Sequence, residues 1–206
     1  MTVKWLSKEE VKKLRKYCKE KEALDKAHGR FIGIRNRALI EFLLGTGFRA
    51  SECRDTMIQD LVLKVKNGSE PYVKVRTLKR KKQVVDVVTI DKELAKLLRD
   101  YIDEVGRFKG KSAATDKSYL FPGRYGKKMQ LITIEKAVKQ IFQSAGLPDY
   151  YSAHSLRHTH GFHLYQANMN LKLVQERLRH ANIQTASIYV GVKEGEEQET
   201  INGLYD

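Results

Sequence analysis

Between Leu61 and Ile90 the chain abandons helical spacing for three runs rich in β-branched residues, Leu61 to Val65, Tyr72 to Leu78 and Val84 to Ile90. Asn67-Gly68-Ser69 and the polar run Lys79 to Gln83 separate them, so the pattern predicts a three-stranded antiparallel meander. Most of the sequence on either side carries the period of amphipathic helices. A small antiparallel sheet set among helices makes this an α+β chain, mainly helical. The second turn holds Lys79, Arg80, Lys81 and Lys82, a dense positive charge that a tight hairpin projects outward. Contact with phosphate and a merely solvated basic turn are both open at this point.

The helices announce their ends. Ser7-Lys8-Glu9-Glu10 has the form of a capping box, with Val11, Leu14 and Cys18 following at helical spacing. Ile34 to Leu44 repeats the pattern, with Gly45 and Gly47 as its expected stop and a new helix expected near Ala50. That boundary puts Glu52 within reach of the Arg49 guanidinium. Asp91 caps a helix expected to end at Gly106, and Arg107 to Ser118 reads as an internal loop. Tyr119 to Gly123 reads as an extended piece and turn, and Thr133 to Ala145 as a helix stopped by Gly146. Ser155 to Asn168, Leu171 to His180 and Thr185 to Val190 complete the helical series.

Charge narrows the partner. With 39 Lys+Arg against 25 Asp+Glu over 206 residues, the formal charge is +14, which calls for an anionic partner, nucleic acid first. No apolar run is long enough to span a bilayer, and no signal peptide stands at the start, so a soluble, cytoplasmic protein is expected. Cys18 and Cys53 are far apart and read as buried, reduced thiols.

The reactive side chains lie in three stretches. Arg49 sits in Gly45-Thr46-Gly47-Phe48-Arg49-Ala50-Ser51-Glu52; His154 and Arg157 sit three apart in His154-Ser155-Leu156-Arg157; Leu178-Arg179-His180 precedes Tyr189, nine residues beyond its histidine. Two guanidiniums suit a phosphodiester, since each donates paired hydrogen bonds to nonbridging oxygens and offsets charge in a pentacoordinate transition state. A tyrosine hydroxyl, with an ordinary pKa of about 10, needs a base or cationic surroundings to attack. His154 or His180 can supply either, and a hairpin lysine can protonate the leaving oxygen. His154, His158, His160 and His163 crowd together, but without an HExxH pattern or a cysteine partner they do not make a metal site.

Taken in order, these stretches resemble the catalytic domain of the tyrosine recombinases, the phage integrase and Xer-like family related in active-site design to type IB topoisomerases. The resemblance runs from Ser7 to about Val190. It implies the tyrosine-recombinase catalytic-domain fold over residues 1–190, with 191–206 as a tail that docks on a neighbouring protomer through Ile201 and Leu204. It implies that Arg49, Arg157 and His180 activate the scissile phosphate, that Tyr189 attacks it, that His154 assists and that Glu52 supports Arg49. The family's lysine falls on the hairpin, at Lys79 or alternatively Lys81. Arg80, Lys81, Lys82 and Arg179 are the expected DNA contacts.

The implied activity is site-specific recombination or integration of double-stranded DNA, typical of mobile elements, through a covalent 3′-phosphotyrosine intermediate. Neither a metal nor another cofactor is called for. A tetramer on two DNA sites, with accessory proteins, is the expected working assembly. Topoisomerase-like relaxation and a noncatalytic DNA-binding module are the alternative readings. Two features depart from the family. Arg179 stands where glycine is usual, and an N-terminal core-binding domain is not evident, as in a piece of a longer recombinase or an unusually small one.

Overall fold

Ser7 closes the first turn of α1 (Lys8–Ala27) as a reciprocal cap: the Glu10 N–H donates to its hydroxyl at 3.1 Å, and its own N–H donates to Glu10 Oε2 at 2.8 Å. The computed structural model describes residues 4–64, 69–79, 82–110 and 114–179, with the backbone alone at 77–79 and 82–83. After α1 come α2 (Ile32–Thr46), α3 (Ala50–Asp55), β1 (Leu61–Val62), β2 (Tyr72–Lys79), β3 (Lys82–Thr89), α4 (Lys92–Lys109), α5 (Leu131–Ser144), α6 (Ala153–Asn168) and α7 (Leu171–Leu178).

Helix α2 is the centre of the molecule. It is apolar nearly all round, with Ile34, Leu39, Ile40, Phe42 and Leu43 each 2% exposed or less, so it must be covered on every side. It packs against α1, α4, α5 and α6. Phe42 anchors an aromatic chain, edge-on to Phe48 at 5.1 Å and to Phe121 at 5.7 Å, with Tyr101 of α4 5.4 Å beyond Phe121. A smaller apolar cluster, Tyr165, Val174 and Leu178, joins α6 to α7.

The expected meander is present, in strand order β1-β2-β3 and antiparallel throughout, its register running from Tyr72↔Thr89 to Lys79↔Lys82. The hairpin is tighter than the polar run suggested, because Lys79 and Lys82 pair across a two-residue connection. Alternation divides the faces: Val73, Val75 and Val88 are buried, whereas Val85 and Val87 face outward. The first strand is only Leu61–Val62, and Val65 lies outside the described residues.

Two helix ends differ from expectation. Gly45 lies inside α2; a Cβ there would meet Leu94 Cδ2 at 2.5 Å, so glycine serves the close approach of α4. The stop is Gly47 alone, in the left-handed region at φ 64°. Gly106 is also helical, and α4 runs on to Lys109, shortening the expected loop. Val105 and Phe108 continue its apolar face into the core, outweighing the low helix propensity of one glycine. The helix expected over Thr185 to Val190 lies outside the described residues.

Both cysteines are core residues, Cys18 at 3% and Cys53 at 0% exposure, and burial pushes the Cys18 thiol up to about 12. Neither is available as a nucleophile at neutral pH.

Candidate active site

The turn after α2 delivers Arg49 to the N-terminus of α3, where Glu52 faces back along the first turn. Glu52 Oε2 accepts the Arg49 backbone N–H at 2.8 Å, and Oε1 accepts Arg49 Nη1 at 2.9 Å. One carboxylate therefore caps the helix and orients the guanidinium, while Arg49 remains 43% exposed. Glu52 thus lies within reach of the Arg49 guanidinium, as the helical spacing predicts.

Helix α6 brings the second arginine up from beneath. The Arg157 side chain is 1% exposed, its Nη1 lies 3.8 Å from Glu52 Oε2, and the same nitrogen donates to the Gly47 carbonyl at 2.7 Å. Its Nη2 donates to the Leu178 carbonyl at the end of α7. A guanidinium with donors on both arms suits this position, since it ties together the ends of α2 and α7 while lying close to Glu52. His154, in the first turn of α6, is exposed and stacks edge-on against His158 at 4.4 Å. Burial of part of its ring, then the Arg157 and Arg49 charges, push its pKa below the ordinary value. At neutral pH it is an uncharged imidazole, able to take a proton.

Arg179 arrives from the other direction, just past α7. Its Nη2 donates to Glu52 Oε2 at 2.6 Å, and its guanidinium lies 4.8 Å from the centre of the Phe48 ring. Burial alone would raise the Glu52 pKa, but Arg179, the Arg49 N–H, Arg157 and Arg49 hold the carboxyl below its usual range. Among the described residues, sequence positions 49, 52, 154, 157 and 179 are thus gathered into one site. His180, Tyr189, Arg80 and Lys81 lie outside the described residues, as do the side chains of Lys79 and Lys82; β2 and β3 carry the backbone of that pair to the hairpin tip.

Two further residues brace the site, with little local signal in the sequence to mark them. His160, one turn beyond Arg157 on α6, donates from Nδ1 to the Leu44 carbonyl at 2.7 Å and accepts from Arg177 Nε at 3.2 Å through Nε2. These partners fix the neutral Nδ1–H tautomer. Arg177 also donates to Thr89 Oγ1 at 3.0 Å and to the Gly45 carbonyl at 3.2 Å, tying α7 to β3 and α2. The spacing of His160 from Arg157 was the available signal, because it puts both on one helix face. Among the described residues, no group of three or more His, Cys, Asp or Glu is placed to hold a metal ion.

Burial, then the Arg177 charge, lower the His160 pKa from 6.5 to about 4. Its folded-state value is the lower one, so the unfolded chain binds more protons between them and stability must rise with pH across that window. The contribution is complete above pH ~6.5 and lost toward pH ~4, about 3 kcal/mol by the usual conversion. Urea unfolding between pH ~4.5 and ~7 should show that slope, and His160→Asn should remove most of it. An unchanged slope in the variant would assign the acid sensitivity elsewhere; His154 and His163, also lowered by burial, contribute with the same sign.

The sequence pattern of the Phage integrase family matches residues 4–196. The chain belongs to that family. It is 33% identical over 164 residues to the tyrosine recombinase XerC of Lactobacillus leichmannii, covering 80% of this chain and 52% of that protein. It is 29% identical over 170 residues to a tyrosine recombinase of Pseudothermotoga lettingae, covering 82% and 54%.

Solved structures place the fold with the same family. XerH site-specific recombinase bound to palindromic difH substrate, in a post-cleavage complex, matches with TM-score 0.78 at 25% identity, over 100% of this chain and 54% of that one. XerA recombinase matches with TM-score 0.73 at 25% identity, over 97% and 64%. The architecture is therefore the mainly helical tyrosine-recombinase catalytic fold with its three-stranded sheet. The chain spans about half the length of the curated relatives it matches. Among the described residues, no helix is long and apolar enough to cross a membrane.

Proposed function

We propose that this chain carries the strand-cleaving and rejoining chemistry of a site-specific DNA recombinase or integrase. The observation that carries the reading is the convergence of Arg49 and Arg157 on Glu52, with His154 in the field of both arginines. Residues more than a hundred positions apart in the chain build one cationic site, as phosphodiester chemistry requires.

In the proposed reaction the Tyr189 hydroxyl attacks the scissile phosphorus, and the bond from phosphorus to the 5′ oxygen breaks. A 3′-phosphotyrosine forms and a 5′-hydroxyl leaves. Arg49 meets the nonbridging oxygens from the exposed side, Arg157 supplies charge from below, and His180 adds a donor. His154 assists as acid-base or hydrogen-bonding partner, and Lys79, with Lys81 as the alternative, protonates the leaving oxygen. Attack by another strand's 5′-hydroxyl reverses the step, so bond energy is conserved and ATP is not consumed.

Double-stranded DNA is the proposed partner, held partly by Arg80, Lys81 and Lys82 of the basic run. XerH is described bound to its difH substrate, which supports this reading. Residues 1–190 are the proposed catalytic domain, and 191–206 the segment that docks on a neighbour within a tetramer on two sites, with accessory proteins where the system uses them. On this reading of the site the protein is DNA-associated.

A nicked duplex carrying the cognate site, selected from a randomised pool by affinity, tests the chemistry. The protein should form an adduct with it that survives denaturation, and Tyr189→Phe should form none. An adduct of equal yield in that variant would remove Tyr189 as nucleophile. Salt-sensitive binding with no adduct on any such duplex would favour a noncatalytic module, and relaxation of supercoils without a specific site would favour topoisomerase-like action.

A further inference from the structure

Among the cations around Glu52, Arg179 occupies the least expected position. Its backbone, at φ 54° and ψ 41°, lies in the left-handed region that favours glycine at a helix C-terminus. Its side chain is nevertheless 4% exposed, donating through Nη2 to Glu52 at 2.6 Å and through Nη1 to the Arg177 carbonyl at 3.2 Å, while its buried Nε has no hydrogen-bond partner among the described residues. An unfavourable backbone and a buried guanidinium persist together only where the surroundings hold both in place.

The division of Glu52 between its partners shows what that residue does. Oε1 is taken by Arg49 Nη1, and Oε2 is shared by the Arg49 N–H and Arg179, with Arg157 Nη1 at 3.8 Å turned toward the Gly47 carbonyl. Without Arg179, the charge on Oε2 would draw on Arg157 and Arg49 alone, pulling both toward the carboxylate. Three guanidiniums against one carboxylate leave two net positive charges; removing Arg179 leaves one.

We infer that Arg179 is a positioning residue, the counter-ion that fixes and neutralises Glu52 so that Arg49 and Arg157 keep their geometry and charge for the scissile phosphate, an assignment that rests on the recombinase reading. It places Arg179 behind the site's arginines, not against the DNA backbone.

The test combines Arg179→Gly, which relieves the left-handed backbone, with Arg179→Lys, which keeps a charge. In Arg179→Gly the Glu52 carboxyl, followed by carbon NMR, should titrate at higher pH, and single-turnover adduct formation should slow by ~10- to 100-fold. DNA affinity should stay within about threefold and its salt slope unchanged, and Arg179→Lys should recover most of the rate. A wild-type rate in Arg179→Gly would overturn the inference. So would an unmoved Glu52 titration, or lost affinity with a salt slope reduced by about one, the mark of a direct phosphate contact. If the wild-type protein forms no adduct while the Glu52 titration moves as expected, the recombinase reading fails and the pairing of Arg179 with Glu52 stands.

Discussion

Arg157→Ala is expected to abolish strand cleavage and to weaken the fold in the same step. The side chain is 1% exposed and holds the Gly47 and Leu178 carbonyls, so its loss leaves two buried acceptors without their donor and a cavity between α2, α6 and α7. Each unpaired buried group costs about 1–3 kcal/mol, and breaking a buried charge network costs about 3–5 kcal/mol. Urea unfolding should register a loss of that size, and adduct formation should fall by at least ~10³-fold, about 4 kcal/mol in the barrier. Arg157→Lys should regain part of the stability, since one ammonium can reach one carbonyl, but not the cleavage. Near-normal cleavage by the lysine variant would show that the forked donor geometry is dispensable.

Arg49→Ala should separate what Arg157→Ala combines. Arg49 is 43% exposed, and its ion pair with Glu52 is a partly solvated one of the kind usually worth no more than about 1 kcal/mol. Glu52 also keeps Arg179 as a partner, so no buried charge is stranded. The variant should therefore unfold within about 1 kcal/mol of the parent while adduct formation falls by ~10²- to 10³-fold, the range for losing one donor to a charged transition state. A matched loss of stability and rate would place Arg49 in the scaffold instead of at the phosphate.

The contrast between these arginines marks how far the sequence could be read. The Arg49 to Glu52 pairing was legible because both groups lie in one helical turn, where spacing alone sets reach. The capping box at Ser7, the cap at Asp91 and the meander were legible for the same local reason. The unequal burial of Arg49 and Arg157 was not, since it depends on α6 passing under the ends of α2 and α7, a packing relation between distant segments. His160 entered as one of four clustered histidines, yet its partners are the Leu44 carbonyl and Arg177, reached only through tertiary contact. Gly45 illustrates the opposite error: a glycine near a helix end looked like a stop, but it is there to admit Leu94. Arg179 could be marked as unusual for its family, but its inward course follows from the left-handed backbone and the waiting carboxylate of Glu52.

Mapping the protein–DNA bond itself tests the central claim most directly. A trapped adduct, digested with protease and nuclease and examined by mass spectrometry, should yield a peptide containing Tyr189 joined through its phenolic oxygen to a 3′-phosphate, with a free 5′-hydroxyl on the released strand. A bond to another residue, or to a 5′-phosphate, would contradict the account.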